Sequence, residues 1–553
     1  MSKYRGFPHV GFSERTWPSK VMEKAPAWCS VDLRDGNQAL VNPMSKEQKL
    51  VFFRTLTDIG FKEIEISFPS ASKADYDFTR TLIDEGYIPD DVTVQVLTQA
   101  REHLIHKTMQ AVDGAKRTII HMYNSTSPAQ REIVFRKSPQ EIISLAVDGV
   151  KMIRDRVSGV KGEIVLEYSP ESFSQTEVPF ASEICSAVVE AWAPGENEKV
   201  IINLPSTVEV ASPHIFADQV EYMNTHIAMR ERVILSVHTH NDRGCAVAAA
   251  ELAQLAGAQR VEGTLFGNGE RTGNADLITM ALNCHSQGVN PGLDFTDLEK
   301  VEKVYTECTE MKVSPRHPYA GELVFTAFSG SHQDAISKGL TCYRRNGGIW
   351  NIPYLPIDPQ DIGRSYEAVI RINSQSGKGG AAYIMEHSFG YCIPKEMHPE
   401  LGKAVQAMAD EKGRELKNPE ILHCFENEFI NAKGEYEFSD FTLTSAEEKN
   451  GLGERNQSIT LGARISGKSV RLKGAGNGII DALVHALVQH GIKVKVVSYN
   501  EHSLDEGSRA QAAAYIQLED SNGRRRFGTG VDTDIACASL KALFSALNRL
   551  TSA

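Results

Sequence analysis

The 553-residue sequence contains no run of eighteen apolar residues, and its first twenty residues lack the apolar segment of a secretory signal peptide. Its nine cysteines are scattered without a CxxC pair, as is typical of reduced thiols in a cytoplasm. Acidic residues outnumber basic ones, 71 to 59, which gives a formal net charge of −12. These absences predict a soluble, cytoplasmic protein with no nucleic-acid or membrane partner, and leave room only for a local basic patch.

Alternating β-rich and helical segments fill the first half of the chain. The apolar runs lie at 27–33, 61–68, 92–98, 116–123, 162–169, 199–205, 232–238 and 260–266. Helix starts are readable at Ser45, which heads a capping box, and at Ser138, which precedes Pro139 and Glu141. Eight strand–helix units in roughly 260 residues predict an α/β fold, a (β/α)₈ TIM barrel. An open, doubly wound sheet is the alternative that fits the same pattern.

The remaining chain changes character twice. Residues 294–434 combine helical periodicity with glycine and proline, which predicts small, mostly helical subdomains. The last hundred residues contain a weak repeat of strand, Gly-x-Gly turn and apolar helix, with Gly476 and Gly478 in one half and Gly528 and Gly530 in the other. We therefore predict three domains: 1–293, a barrel with an N-terminal extension; 294–434, linker subdomains; and 435–553, an α+β domain of a kind that often senses a ligand.

Residues with metal-binding chemistry follow predicted strands one, seven and eight, at the end where barrel enzymes place their active sites. Asp35 follows the first strand, and His238 and His240 share a face because side chains alternate along a strand. Asn274, after strand eight, could add a carbonyl oxygen or hold a water. A mixed nitrogen and oxygen set without thiolate is typical of Mg²⁺, Mn²⁺ or Zn²⁺, so the sequence predicts a divalent metal centre.

An ordered set of motifs resembles the 2-isopropylmalate synthase family in its long form. The motifs include VDLRDGNQAL, KEIEISFPSAS, HMYNSTS, NLPSTVE, HTHND, FGNGERTGNAD and YLPIDPQDIGRSYEAVIRINSQSGKGG, and together they span nearly the whole chain. That family belongs to barrel metalloenzymes named for an Asp-Arg-Glu signature, whose positions resemble Asp35, Arg34 and Glu65. Ser67 stands where many relatives have glycine, and a small residue is kept.

The resemblance implies a Claisen-type condensation of acetyl-CoA with 3-methyl-2-oxobutanoate, then thioester hydrolysis to 2-isopropylmalate and CoA. This is the first committed step of leucine biosynthesis. The resemblance implies that Arg34 stabilises the alkoxide that forms on attack, and that Glu65 holds Arg34 by an ion pair. It assigns further residues as follows: His121 and Thr207 bind the oxo acid, Tyr123 shapes its apolar end, and Glu171, Glu270 and Arg271 lie near the reacting groups and CoA.

The resemblance also implies assembly and control. In the family, a histidine and a tyrosine after the barrel complete the active site of the partner subunit; here they are His332 and Tyr354, so we expect a homodimer. The C-terminal domain binds leucine as a feedback inhibitor, and its repeated glycines are our candidates for that site. Homocitrate and citramalate synthases share the metal motif and are the alternatives. A catalytically silent amino-acid sensor is another, although intact Arg34 and Asp35 argue against it.

Overall fold

A computed structural model describes residues 10–11, 14–327, 329–364, 378–414, 416–430, 432–449, 455–505, 507 and 510–551. The chain divides into two compact units, Met1–Val324 with Ile357–Arg364, and Phe325–Pro356 with Ser365–Ala553. Each unit contains hydrophobic clusters of its own. Within the described residues, no helix has both the length and the apolar character needed to cross a membrane.

Eight parallel strands close into a barrel in chain order in the first unit. The strands are β1 (Ala27–Ser30), β2 (Glu63–Ser67), β3 (Thr93–Gln99), β4 (Arg117–Ser125), β5 (Glu163–Glu171), β6 (Val200–Ser206), β7 (Val233–Thr239) and β8 (Arg260–Gly263). The barrel closes where β1 pairs with β8, with Ser30 opposite Gly263. The predicted TIM barrel is therefore confirmed, and a closed barrel excludes the open sheet.

Helices follow the strands and cover the outside of the barrel. They are α1 (Lys46–Ile59), α2 (Lys73–Asp84), α3 (Glu102–Val112), α4 (Pro139–Val157), α5 (Val178–Trp192), α6 (Pro213–His226), α7 (Ala246–Leu255), α8 (Leu277–Ser286) and the additional α9 (Leu298–Thr309). Both predicted starts are confirmed. Ser45 and Gln48 form a reciprocal capping box at α1, and Ser138 and Glu141 form another at α4, where Pro139 occupies the first turn.

The interior of the barrel changes from apolar to polar along the strands. Near their amino-terminal ends, Ile119, Val165 and Ile201 are buried and pack with Ile234. Two residues further along, where side chains again face the same side, stand the buried residues His121 on β4, Glu167 on β5, Asn203 on β6 and Ser236 on β7. A TIM barrel is usually filled by branched apolar side chains. In this barrel, these polar side chains fill the next layer toward the carboxyl-terminal ends of the strands.

The second unit begins with helices, and its later part forms two sheets, each followed by a helix. Its first helices are α10 (Gly330–Asn346), α11 (Lys378–Phe389), α12 (His398–Lys412) and α13 (Asn418–Phe425). The sheets are antiparallel and three-stranded, one formed by β9 (Tyr436–Lys449), β10 (Arg455–Ile465) and β11 (Lys468–Gly476), the other by β12 (Val494–Ser503), β13 (Ala512–Asp520) and β14 (Arg525–Asp532). Helix α14 (Ile479–Gln489) follows β11, and α15 (Ile535–Thr551) follows β14. The α+β character predicted from the internal repeat is confirmed.

The second Gly-x-Gly turn of that repeat was wrongly predicted. Gly528 and Gly530 lie within strand β14, and Gly476 is the last residue of β11. A Cβ on Gly528 would lie 2.2 Å from the backbone nitrogen of Ala546, and one on Gly530 would lie 2.0 Å from the carbonyl oxygen of Ala538. The glycines therefore allow the following helix to pack directly on the strand, which a composition signal for turns does not distinguish.

Candidate active site

The four residues predicted as metal ligands lie together at the carboxyl-terminal end of the barrel. The candidate ligand atoms of Asp35, His238 and His240 all lie within 4.8 Å of one another, and the three residues are buried. Asp35 comes from a π-helical turn after β1, Asp32–Gly36. Asn274 joins them, because its Nδ2 donates to Asp35 Oδ2 at 2.8 Å and its Oδ1 lies 2.8 Å from His238 Nε2. The strand alternation thus brought both histidines to one side, as expected.

The donor set fits a divalent cation. Both histidines present Nε2 toward one carboxylate oxygen, since His238 Nε2 lies 3.6 Å and His240 Nε2 lies 4.0 Å from Asp35 Oδ2. Burial, together with the neighbouring His238, lowers the pKa of His240 to about 4, so its imidazole is neutral. Burial opposes the charged form of Asp35, but Arg34 and His238 hold its pKa well below the ordinary value. Burial also opposes the charged form of His238, but Asp35 and Glu262 raise its pKa to about 10, so His238 has to release a proton when an ion binds.

Arg34 lies between two carboxylates. Its Nε donates to Glu65 Oε2 and its Nη1 donates to Asp35 Oδ1, each at 2.5 Å. Glu65 is fully buried on β2, and its other oxygen accepts from His121 Nδ1 at 2.9 Å. Burial would raise the pKa of Glu65, but Arg34 and His121 outweigh it and hold that pKa below the ordinary value. The Asp-Arg-Glu positions therefore form one continuous charged chain, with the guanidinium orientation fixed at two nitrogens.

A cavity of about 780 Å³ opens onto this centre, within the size range that holds a drug-sized ligand. Ten of the predicted site residues line it: Arg34, Asp35, His121, Tyr123, Glu171, Thr207, His238, His240, Glu270 and Arg271. Glu65 and Asn274 do not line the cavity themselves. Each is hydrogen-bonded to a residue that does, Glu65 to Arg34 and Asn274 to His238.

Hydrogen bonds orient the polar wall of the cavity. The His121 Nε2 atom and the Ser169 hydroxyl are 2.7 Å apart, and Gln99 Nε2 donates to the Tyr123 hydroxyl at 2.8 Å. Burial raises the pKa of Tyr123, so its phenol stays protonated. The Thr207 hydroxyl accepts from the backbone N–H of Ser172 at 2.8 Å. These hydrogen bonds fix the orientation of the polar side chains that line the cavity.

The acidic and basic residues at the rim are also paired. Glu171 accepts from the Ser125 hydroxyl, and Glu270 accepts from Gln38 Nε2 at 3.2 Å. Arg271 donates to Asp242 at 2.7 Å and to the carbonyl oxygen of Thr207 at 2.6 Å. Its backbone has φ 58°, in the left-handed region that non-glycine residues rarely adopt. Such conformations persist where neighbours fix them, and they concentrate at functional sites.

Three important residues were not identified from the sequence: Gln95, Arg260 and Glu262. Glu262 Oε2 accepts from His238 Nδ1 at 2.8 Å. Gln95 Nε2 contacts Glu65 at 3.2 Å and Glu262 at 2.9 Å, which links the Arg34–Glu65 pair to the metal-ligand cluster. The signal was present in the run 260–266, where arginine and glutamate occupy alternate positions of an otherwise apolar strand.

A second cluster of His121, Glu167 and Glu262 has ligand-like spacing, but Arg260 contacts both of its carboxylates. The guanidinium Nη1 donates to Glu262 at 2.9 Å, and Nη2 lies 3.4 Å from Glu167. Burial raises the pKa of Glu167 well above the ordinary value, which favours its neutral form. Because a fixed cation already compensates these groups, the cluster is part of the internal polar network and does not form a second metal site.

His332 and Tyr354 belong to the second compact unit, where the structure brings them together. Their ring centroids are 4.0 Å apart. Tyr354 is 60% exposed and has φ 66°, so a strained backbone holds a tyrosine ring at the surface of its unit. Their catalytic role stays a prediction, as does the ligand-binding role of Gly476, Gly478, Gly528 and Gly530.

Three family models match successive parts of the chain. An HMGL-like model matches residues 25–304, a model of the alpha-isopropylmalate synthase post-catalytic domain matches 322–386, and one of the LeuA allosteric (dimerisation) domain matches 415–551. The chain is 51% identical over 555 residues to a 2-isopropylmalate synthase of Clostridium acetobutylicum, with 99% of each chain covered. It is 50% identical over 548 residues to that of Pseudomonas syringae pathovar tomato, covering 99% of this chain and 97% of the relative.

The chain belongs to the 2-isopropylmalate synthase family. Membership confirms the resemblance drawn from the ordered motifs and the predicted enzyme class, a transferase. The HMGL-like match includes all of the predicted metal ligands. His332 and Tyr354 fall within the post-catalytic match, and the four repeated glycines fall within the allosteric match.

Proposed function

We propose that this chain condenses acetyl-CoA with 3-methyl-2-oxobutanoate and hydrolyses the resulting thioester to 2-isopropylmalate and CoA. One observation carries the proposal: an arginine is fixed against the Asp35–His238–His240 cluster in the mouth of a barrel from the 2-isopropylmalate synthase family. The cavity at this mouth has space for an acyl-thioester arm beside a small oxo acid.

Asp35, His238 and His240 would hold the metal, with Asn274 beside them, and the donor set suits Mg²⁺, Mn²⁺ or Zn²⁺. When bound, a divalent cation supplies Lewis acidity toward the keto and carboxylate oxygens of the oxo acid. The protein supplies the orientation, because each ligand is already fixed by hydrogen bonds or burial.

Arg34 stabilises the negative charge that develops on the former keto oxygen during attack. Its charge is permanent, and its contacts with Glu65 and Asp35 fix the guanidinium before substrate arrives. His121 and Thr207 hydrogen-bond the oxo acid, and Tyr123 limits the space for its apolar end. Glu171, Glu270 and Arg271 contact the reacting groups and CoA from the rim of the cavity.

His332 and Tyr354 complete the site of a neighbouring subunit in a homodimer. The exposed, stacked arrangement of their rings supports this role, since Tyr354 is held in a strained conformation without being needed for a core. The matched allosteric domain supports leucine as the feedback inhibitor. All nine cysteines are free thiols, which supports the cytoplasm as the compartment.

The test measures thiol release from acetyl-CoA with each of three oxo acids, before and after chelation of metal. We expect release with 3-methyl-2-oxobutanoate to exceed release with pyruvate or 2-oxoglutarate by at least about tenfold, as for other pockets that fit one apolar side chain. Activity should disappear on chelation and return with a divalent ion. A preference for pyruvate would indicate a citramalate synthase, one for 2-oxoglutarate a homocitrate synthase, and no release a silent sensor.

A further inference from the structure

Glu262 occupies a central position beneath the metal-ligand cluster. It is fully buried on β8, and both of its oxygens are saturated with hydrogen-bond donors. Oε2 accepts from His238 Nδ1 at 2.8 Å and from Asn203 Nδ2 at 3.0 Å. Oε1 accepts from Gln95 Nε2 and Arg260 Nη1, each at 2.9 Å. Four donors converge on one side chain that itself faces no substrate.

The contact with His238 determines which imidazole nitrogen is available. The Nε2 atom faces the cluster, 3.6 Å from Asp35 Oδ2, while Nδ1 faces Glu262. An imidazole can bind a cation through Nε2 only if the proton is on Nδ1, and a carboxylate hydrogen-bonded to Nδ1 fixes both that tautomer and the plane of the ring. His240 has no comparable support, because its Nδ1 has no hydrogen-bond partner among the described residues.

Glu262 is also held from the side away from the metal ligands. Arg260 Nη1 and Gln95 Nε2 each donate to its Oε1 at 2.9 Å. Arg260 is itself buried and is fixed by Gln95, Ser236 and Glu63 as well as by Glu262. The carboxylate that orients His238 is therefore held in place by the buried guanidinium of Arg260, which is not hydrogen-bonded to the metal ligands.

We propose that Glu262 is the positioning residue of the metal centre: it presents His238 Nε2 to the cation and is held in place by Arg260 and Gln95. The inference rests on the proposed metal-dependent function. Gln95 also contacts Glu65, so the same network aligns Arg34 with the metal ligands. A carboxylate that accepts a hydrogen bond from the other nitrogen of a histidine ligand typically raises metal affinity by about 10–100-fold.

The substitution Glu262→Gln tests the orientation directly. The new amide nitrogen must face either the Gln95 and Arg260 donors or the His238 and Asn203 donors. In the first case an N–H group faces two other donors and no acceptor; in the second, His238 has to move its proton to Nε2 and block the cation. Glu262→Asp keeps the charge beside Arg260 but withdraws the oxygen from Nδ1. We expect both variants to bind metal about 10–100-fold more weakly than the unaltered protein.

Glu63→Gln is the matched control, because Glu63 also pairs with Arg260 but has no contact with His238. The measurement is a titration of the demetallated full-length protein with Mn²⁺. Electron paramagnetic resonance reports the concentration of free Mn²⁺, so the affinity is obtained without any turnover. Thermal unfolding reports whether each variant is folded. If Glu262→Gln does not fold, Glu262→Asp decides the question.

The outcomes separate the two levels of inference. Weaker binding by the Glu262 variants with near-normal binding by Glu63→Gln supports the positioning role. Unaltered affinity in a folded Glu262 variant overturns it and leaves the proposed function intact. Equal weakening in all three overturns it too, since the effect would then follow the charge around Arg260. An unaltered protein that binds no Mn²⁺ overturns the metal centre itself.

Discussion

At the scale of single residues, the site depends on charges that are fixed before any substrate arrives. Arg34 is held at two nitrogens by Glu65 and Asp35, and Glu65 is held in turn by His121 and Gln95. A preorganised cation of this kind lowers the barrier because no reorientation is needed as charge develops. The same fixation makes the arginine difficult to replace, even by another cation.

We expect Arg34→Lys to lower kcat by about 10²–10³-fold with a much smaller change in KM for the oxo acid. A lysine is a point charge and cannot reproduce the planar fork that bridges Glu65 and Asp35. Steady-state kinetics with both substrates checks this. Arg80→Lys is a suitable control, because Arg80 pairs with Asp84 on the outer helix α2 and should leave kinetics unchanged. A defect confined to KM would contradict a transition-state role.

Local sequence pattern predicted only part of the candidate site, namely residues at strand ends or two apart on one strand. His238 and His240 share a side because they are two apart on one strand, and Asp35 follows a strand end. The role of Glu262 could not be predicted in this way, because it depends on hydrogen-bond partners that are distant in sequence. Its contact with Gln95 spans 167 residues, and no local pattern shows which buried carboxylate faces which donor.

At the scale of elements, the strand–helix units were predictable but the role of their glycines was not. All eight barrel strands lie within the apolar runs or extend them by a few residues, because period and turn residues carry that information. In strand β14, Gly528 and Gly530 face alanines of α15, namely Ala538, Ala542 and Ala546. Whether a Gly-x-Gly bends or allows close packing depends on the helix that covers it, and this is a tertiary property.

We expect Gly530→Ala to lower the free energy of unfolding by about 1–3 kcal/mol, the usual cost of overpacking a tight contact. Its Cβ would lie 2.0 Å from the carbonyl oxygen of Ala538, so helix α15 would have to move away from the strand. Calorimetry of the full chain measures the shift. Gly478→Ser is the control, since nothing lies within 4 Å of a Cβ there and serine is favoured at a helix N-cap. Equal stability of the two variants would argue against close packing as the reason for Gly530.

At the scale of the whole molecule, the proposed homodimer would combine residues of two chains in each active site. The barrel ligands lie in one unit, and His332 and Tyr354 lie in the other. If the pair serves the neighbouring subunit, each complete site combines one chain's barrel with the other chain's histidine and tyrosine. Chemistry and assembly are then inseparable, and this can be tested without knowing the geometry of the dimer.

Mixing inactive His332→Ala protein with inactive His240→Ala protein should restore activity. After full subunit exchange, half of the dimers are hybrids and each hybrid has one intact site, so recovery should approach about one quarter of normal activity. The exchange itself is followed by mass spectrometry of differently tagged chains. Either variant mixed with itself is the control and should stay inactive. No recovery despite demonstrated exchange would indicate that each site is built within one chain.

Control by leucine would act through the C-terminal domain, which contains none of the proposed metal ligands. Gly478 is the N-cap of α14, where backbone N–H groups can receive a ligand carboxylate. We expect leucine to inhibit in a partial, graded way, since coupling between sites usually amounts to about 1–3 kcal/mol.

Gly478→Asp should abolish that inhibition while leaving turnover unchanged. Aspartate is a favoured N-cap, and a Cβ at this position has no atom within 4 Å, so the change should not disturb folding. It would instead place a negative charge where the leucine carboxylate binds. Activity titrated with leucine measures the effect, and Gly478→Ser separates charge from bulk because it should keep most of the inhibition. If Gly478→Asp stayed fully inhibited, the start of α14 would not be the sensor, and an unaltered enzyme insensitive to leucine would leave this domain without the proposed regulatory role.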